Sequence, residues 1–175
     1  DEVLNRGNLD FVIRTGEIDT AILEMVNILL HEDYVERIKE KPNISFKDDV
    51  KIVHNLSTTT EANLDSLPLP AYRLLDMKKY VAVESHYVPG GSDSTRIPFF
   101  TVGGSRGCLF NCIYCPYPSI FGSWRGRSPE KIVDEIEFLL NNYDVGAFWF
   151  YDQTFSTDVK RSMKICDEII DRKLD

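Results

Sequence analysis

An α/β fold is the class the sequence predicts, and three observations predict it. Residues 98–175 alternate strand, loop, helix, strand, loop, helix. Each helix of that stretch starts at a capping residue and carries apolar side chains at three- and four-residue spacing. Residues 9–30 read as strand, glycine-containing turn and helix. Such alternation implies parallel strands joined by right-handed helical crossovers. The 175 residues make about one domain or slightly more, and 43% apolar with 27% charged residues is an ordinary globular balance.

The elements follow in order. Leu9–Thr15 is a short apolar run with β-branched residues, a buried strand broken by Gly16-Glu17. Ile22, Met25, Val26, Leu29 and Leu30 then follow helical spacing, with Asp19 or Thr20 as the cap. Ile44–Phe46 and Val50–Ile52 flank Asp48-Asp49 and read as a hairpin. Residues 56–78 form a connector, in which Pro68 and Pro70 remove backbone donors and hold their neighbours extended. A boundary between two structural units falls here. Pro89-Gly90-Gly91 is a turn, and Asp93 to Arg96 lead into the next strand.

Pro98–Val102 is that strand, ending at Gly103-Gly104. Ser128-Pro129-Glu130 is a strong helix start: Ser caps, Pro suits the first turn and Glu complements the dipole. Ile132, Val133, Ile136, Leu139 and Leu140 make its stripe. Gly146–Tyr151 is a continuous apolar run, the pattern of a strand covered on both faces. Thr157 or Asp158 caps a last helix with the stripe Val159, Met163, Cys166, Ile169 and Ile170. Two such units cannot close a barrel of roughly 200–400 residues. The chain is therefore expected to be a window across a longer protein, with exposed strand edges that invite association.

Charge and leader signals narrow the function classes. Twenty Lys and Arg against 28 Asp and Glu leave a net charge of −8. An acidic surface repels phosphate backbones, so nucleic acid is not a favoured partner. Arg125-Gly-Arg127 is the compact basic pair of the second half, read as a solvated loop or the seed of a local basic groove. The opening DEVLNRGNLD is too acidic and polar for a signal peptide. No apolar run approaches the ~18 residues of a spanning helix. No membrane partner is expected.

Three of the four cysteines lie in Cys108-Leu-Phe-Asn-Cys112-Ile-Tyr-Cys115, directly after a strand. Clustering of this kind suggests a metal site in a reducing compartment rather than a disulfide scaffold. Structural zinc takes four ligands, and a fourth is missing nearby. Cys166 sits on a helical stripe and reads as a core residue. His31, His54 and His86 all lie upstream and read as ordinary polar residues. Three thiolates suit an iron–sulfur cluster with one iron left open, since most protein clusters use four cysteines.

Cys108-x3-Cys112-x2-Cys115, with Tyr114 just before the last cysteine, resembles the signature of radical S-adenosylmethionine (radical SAM) enzymes. The resemblance implies a [4Fe-4S] cluster held by Cys108, Cys112 and Cys115 as metal ligands. It also implies S-adenosylmethionine on the open iron, cleaved reductively to methionine and a 5′-deoxyadenosyl radical that abstracts hydrogen from the substrate. Tyr114 would lie near the adenine. Asp152-Gln153-Thr-Phe155 resembles the acidic Asp-x-x-Phe version of the family's SAM-contacting motif, where many members have Gly-Gly-Glu. Asp152 is the first candidate for the SAM amino group and Gln153 the second, against a cap or loop hydrogen bond for Asp152. Arg106 and Arg127 match family-like positions around the loop.

Leu9–Asp19 and the linker Asn63–Pro70 are similar to the cobalamin-containing subgroup. That similarity implies residues 1–40 as the tail of a Rossmann-like cobalamin-binding domain and 41–97 as hairpin and linker. Residues 98–175 become the first two βα units of a partial TIM-like (β/α)6 barrel. Cobalamin is implied as a further cofactor, although the Asp-x-His-x-x-Gly ligand motif is absent here. The reaction implied is methylation of an unactivated carbon, with cyclisation or rearrangement as the alternative within the class. A methylthiotransferase is disfavoured, because no cysteine precedes Cys108. A small-molecule substrate or biosynthetic intermediate, a reductant such as flavodoxin or ferredoxin, and a cytoplasmic location complete that picture. A non-catalytic module holding zinc or an electron-transfer cluster is the reading from another class.

Overall fold

Apolar runs of four or five residues need strand partners to satisfy their backbone, and the second half of the chain supplies them in parallel. This is seen in a computed structural model, which describes residues 2–7, 9–14, 17–49, 51–57, 63–84 and 99–174. The described chain is mixed α/β, and its backbone falls into two units. The first comprises residues 1–62 and 110–122, the second residues 63–109 and 123–175.

In the first unit, helix α1 (Glu2–Arg6) precedes strand β1 (Phe11–Ile13). Helix α2 (Ile18–Leu29) and helix α3 (Tyr34–Glu40) follow, then strands β2 (Ile44–Asp48) and β3 (Lys51–His54). The sequence reading contained neither α1 nor α3. β1, β2 and β3 form one antiparallel sheet, with Phe11 opposite Phe46, Ile13 opposite Ile44 and Asp48 opposite Lys51. Asp49 starts the reversal at φ 54°, a left-handed conformation that Asp tolerates.

The hairpin assigned to a linker thus shares a sheet with the strand assigned to the preceding domain. Residues 41–54 have apolar partners of their own: Ile44 and Phe46 pack with Met25 and Ile38. Asn55 donates its side-chain N–H groups to the carbonyls of Ile38 (2.8 Å) and Lys41 (2.7 Å), closing the end of α3. α2 is capped two or three residues earlier than expected, at Glu17, whose carbonyl accepts from Thr20 Oγ1. Its expected stripe is a correction as well: Met25 is buried, while Ile22, Val26, Leu29 and Leu30 are exposed.

The second unit opens with two 3-10 turns, Leu64–Ser66 and Tyr72–Leu74, around the Pro68 and Pro70 extension. Helix α4 (Met77–Glu84) follows. The turn expected at Pro89-Gly90-Gly91, the lead-in from Asp93 to Arg96, and His86 lie outside the described residues. Strand β4 (Phe99–Val102) pairs in parallel with strand β7 (Ala147–Phe150), Phe99 opposite Ala147 and Val102 opposite Phe150. Helix α6 (Pro129–Asn142) crosses between them. Ser128 caps it with Pro129 at the first turn, and Ile132, Val133, Ile136 and Leu139 face the core with Val102 and Phe100.

Helix α7 (Val159–Asp171) is capped by Asp158, which accepts from the Arg161 N–H at 3.0 Å. Its rotation corrects the expected stripe. Arg161, Ser162 and Ile165 are buried, while Val159, Met163, Cys166 and Ile170 are exposed. The cause is at the first turn. Arg161 donates from Nε to the Arg127 carbonyl (2.7 Å) and from Nη2 to the Gly104 carbonyl, so this polar face turns inward. β7 is also less covered than a doubly packed strand would be: Trp149 is exposed. Among the described residues no barrel closes, and β4 and β7 make a two-stranded sheet.

Candidate functional site

The cysteine loop leaves β4 through Gly103-Gly104 and is pinned at its base. Strand β5 (Ser105–Arg106) and strand β6 (Arg125–Gly126) pair antiparallel, Ser105 opposite Gly126 and Arg106 opposite Arg125. The cysteines lie on the excursion between these two rungs. Gly107 turns the chain at φ 79° immediately before Cys108, and Gly122 returns it at φ 71°. Both values favour glycine, which has no Cβ to clash. After the cysteines comes the short helix α5 (Tyr117–Phe121), its two terminal aromatic rings 4.5 Å apart.

None of the three cysteines is in a disulfide; Cys112 is exposed, and Cys108 and Cys115 are half-buried. The Cys115 N–H donates to the Cys112 carbonyl at 3.0 Å, a tight backbone turn between the second and third cysteines of the motif. Cys108 belongs to the second unit, Cys112, Tyr114 and Cys115 to the first. Among the described residues no three His, Cys, Asp or Glu side chains converge as a metal site. The donor set is nonetheless of one kind: soft sulfur ligands on one irregular loop, which suit an iron–sulfur cluster or zinc and not a hard cation. Tyr114 is 85% exposed, and Leu109, Phe110 and Ile113 are exposed beside it in sequence.

Asp152 follows β7 and turns its carboxylate to the start of the loop. Oδ2 accepts from the Gly104 N–H at 3.0 Å, and Oδ1 accepts from Ser105 Oγ. Gly104 is small for a reason: a Cβ there would stand 2.9 Å from Asp152 Oδ2 and 3.0 Å from Arg161 Nη2. Asp152 thereby ties the exit of one parallel strand to the exit of its neighbour. Gln153 is exposed next to it.

Arg127 is held rather than free. It donates from Nη1 to Glu135 Oε2 and to the Gly103 carbonyl (2.9 Å), and from Nη2 to the Lys131 carbonyl (3.1 Å). Glu135 is 2% exposed and takes a second bond from Tyr72 Oη at 2.6 Å. Burial, then the hydrogen bond and charge of Glu135, push the Tyr72 phenol well above its ordinary pKa. Arg106 is half-buried on β5. His54 Nδ1 lies 2.7 Å from Ser45 Oγ within the first unit's sheet, a structural role.

The sequence reading missed Ser105, Glu135 and Arg161. Glu135 carried a signal: it stands three residues after Ile132 and four before Leu139, a charge on the apolar face of α6. Arg161 carried the opposite signal, a cation two residues from the apolar Val159 and Met163, which reads as solvated.

A strand, a pinned loop with Cys108-x3-Cys112-x2-Cys115, a capped crossover helix and a parallel second strand define a class. The sequence profile of the radical SAM superfamily matches residues 102–173, and it is this stretch that belongs to that superfamily. Its relatives include an uncharacterized methyltransferase of Pyrococcus horikoshii, 32% identical over 168 residues, 95% of this chain and 33% of that protein. An anaerobic magnesium-protoporphyrin IX monomethyl ester cyclase of Cereibacter sphaeroides is 28% identical over 166 residues, 95% of this chain and 25% of that protein. Among solved structures, the radical S-adenosylmethionine methyltransferase TsrM of Kitasatospora setae, with cobalamin and a [4Fe-4S] cluster bound, superposes with a TM-score of 0.62. It is 14% identical and the match covers 94% of this chain and 30% of that one, a likeness of fold. The chain thus spans between a quarter and a third of these relatives. No helix among the described residues is long and apolar enough to cross a membrane.

Proposed function

We propose that Cys108, Cys112 and Cys115 hold a [4Fe-4S] cluster in a radical SAM enzyme of the cobalamin-associated subgroup. The observation that carries this is the Cys108-x3-Cys112-x2-Cys115 set, outside any disulfide, on a loop pinned at the carboxyl end of a parallel strand. When bound, such a cluster supplies one-electron reductive cleavage of S-adenosylmethionine to methionine and a 5′-deoxyadenosyl radical. The chain's own residues do the positioning. The β5–β6 rungs and the Asp152 carboxylate fix where the loop leaves the sheet. Asp152 has acceptor capacity beyond its two protein bonds, since an ionised carboxylate offers about four lone-pair sites. It is the proposed acceptor for the SAM amino group, with Gln153 beside it, and Tyr114 is the proposed neighbour of the adenine. Arg127 and Arg161 fasten Gly103 and Gly104 through their carbonyls.

In this reading β4, α6 and β7 are the opening of a (β/α)6 barrel, and residues 1–40 adjoin a Rossmann-like cobalamin domain. The residues of this chain do not themselves fit a corrin. They include no Asp-x-His-x-x-Gly run, and the described sheet of the first unit is antiparallel. Methylation is the reaction favoured by the Pyrococcus relative, and ring formation is the second reading, favoured by the cyclase relative. A flavodoxin- or ferredoxin-type reductant in the cytoplasm would supply the electron.

Anaerobic reconstitution with iron and sulfide tests the proposal. The expected outcome is about four irons per chain, an electron paramagnetic resonance signal that shifts on adding S-adenosylmethionine, and 5′-deoxyadenosine in the presence of reductant. Bound zinc without iron, or a cluster spectrum indifferent to S-adenosylmethionine, overturns it.

A further inference from the structure

The second unit carries a basic cleft that the cysteine chemistry does not use. It is an open depression of about 480 Å³, and neither the cysteines nor Asp152 line it. Trp124, Arg127, Lys160, Arg161 and Lys164 do, together with Asp65 and Asp158. Its size lies within the ~300–1,000 Å³ of small-molecule sites.

The starts of α6 and α7 both reach this cleft, and at each a wall carboxylate accepts from one backbone N–H. Asp65 accepts from the Ser128 N–H at 2.8 Å and Asp158 from the Arg161 N–H at 3.0 Å. The two wall carboxylates are therefore engaged with the helix starts. Lys164 is paired with Glu130 and Arg127 with Glu135. Lys160 has no ion-pair partner among the described residues and is exposed.

The decisive groups are two buried donors. Arg161 is 8% exposed. Its Nε and Nη2 donate to the carbonyls of Arg127 and Gly104, but Nη1 has no acceptor among the described residues. Trp124 Nε1 is buried and likewise lacks an acceptor. The guanidinium lies over the Trp124 ring, 5.7 Å from its centroid. Gly126 makes room for that stack, since a Cβ there would stand 2.8 Å from Arg161 Nε and 2.9 Å from the Trp124 ring. Guanidinium and indole N–H groups can only donate. Leaving them unmet costs desolvation without return. An oxyanion beside the exposed Lys160 is the kind of group that would meet such donors.

We infer that this cleft binds the phosphoryl group of a small phosphorylated ligand through Arg161 Nη1, Trp124 Nε1 and Lys160. A tetrahedral dianion offers several oxygens to donors that approach from different directions. A carboxylate offers two, in one plane, and suits a single fork. The inference is independent of the cluster assignment, because every residue it uses lies outside the cysteine loop's three thiols and Asp152.

Calorimetric titration of the chain with inorganic phosphate tests it, against acetate and chloride at matched ionic strength. Saturable phosphate binding is expected, with no comparable heat from acetate or chloride. Lys160→Ala should weaken it about fivefold, the scale of one exposed ion pair. Trp124→Phe, which keeps a ring and deletes the donor, should weaken it by a similar factor. Both variants should retain the wild-type circular dichroism spectrum, which separates lost binding from lost folding. Absence of saturable phosphate binding, equal binding of acetate, or wild-type affinity in both folded variants overturns the inference.

Discussion

Replacing Arg127 by methionine isolates the most consequential buried charge in the second unit. Glu135 is 2% exposed, with Tyr72 Oη on one carboxylate oxygen and Arg127 Nη1 on the other. Arg127→Met removes the counter-charge and keeps a chain of similar length. The carboxylate then remains buried with one neutral hydrogen bond. Breaking a buried pair from one side costs about 3–5 kcal/mol. Arg127 is itself 17% exposed along its side chain, so water reaches part of the gap and the lower end, about 3 kcal/mol, is expected. The Gly103 and Lys131 carbonyls also lose their donors, but water can replace these more easily. A further Glu135→Gln change removes the stranded charge and keeps the acceptor for Tyr72. The double variant should therefore recover more than half of the loss. Urea denaturation of the four proteins in the cycle reads the coupling directly. A loss below about 1 kcal/mol for Arg127→Met, or additive losses in the double variant, would refute the buried-pair reasoning.

Other outcomes follow from the same contacts. Tyr72 has its pKa raised by burial and by Glu135, so its neutral form is favoured in the folded chain. Its contribution is complete below the unfolded value of about 10 and is lost as pH rises toward the folded one. Tyr72→Phe should flatten the fall in melting temperature above that pH, and an unchanged alkaline slope would contradict the assignment. Gly104→Ala should destabilise by about 1–3 kcal/mol, because its Cβ meets Asp152 and Arg161, while Gly103→Ala should not, since nothing lies within 4 Å of a Cβ there. Equal melting temperatures for the two would show that the clamp yields. Cys112→Ala should abolish iron loading. Cys166→Ala, at an exposed position, should change neither loading nor unfolding free energy by more than about 0.5 kcal/mol. An iron assay and a denaturation curve check both.

Much of this was legible because local chemistry and tertiary placement agree. Ser128-Pro129-Glu130 is capped and dipole-compatible whatever packs on the helix, and α6 starts there. The Phe99–Val102 and Ala147–Phe150 runs need partners, and the helix between them makes parallel pairing the economical answer. The Asp48-Asp49 turn requires little more than a residue tolerant of positive φ. The failures lie where placement was not set by the local apolar pattern. The α7 stripe assumed that apolar side chains choose the helix rotation, yet Arg161 chooses it by reaching two backbone carbonyls. The α2 stripe failed as well, with Met25 alone of the predicted set buried. Antiparallel pairing of β1 with the hairpin depends on contacts more than thirty residues apart, which no local window contains.

The structural role of the Asp152 carboxylate need not compete with the binding role proposed for it. Its two protein bonds go to Gly104 N–H and Ser105 Oγ, both on the segment that leads into the cysteine loop. Those bonds orient the carboxylate before any ligand arrives. Pre-orientation lowers the entropic cost of recognition. A group held only by a ligand would have to be ordered at the moment of binding. Arg161 completes the arrangement from the other side, since its Nη2 and the Asp152 carboxylate crowd the same glycine from different directions. Charge and counter-charge thus fix one short backbone stretch, Gly103 to Ser105, between two parallel strand exits. Asp152→Asn would separate the two roles. Its carbonyl oxygen can still accept one of the two bonds, so folding should suffer mildly. Recognition of a cationic amino group, which needs the negative charge, should suffer far more.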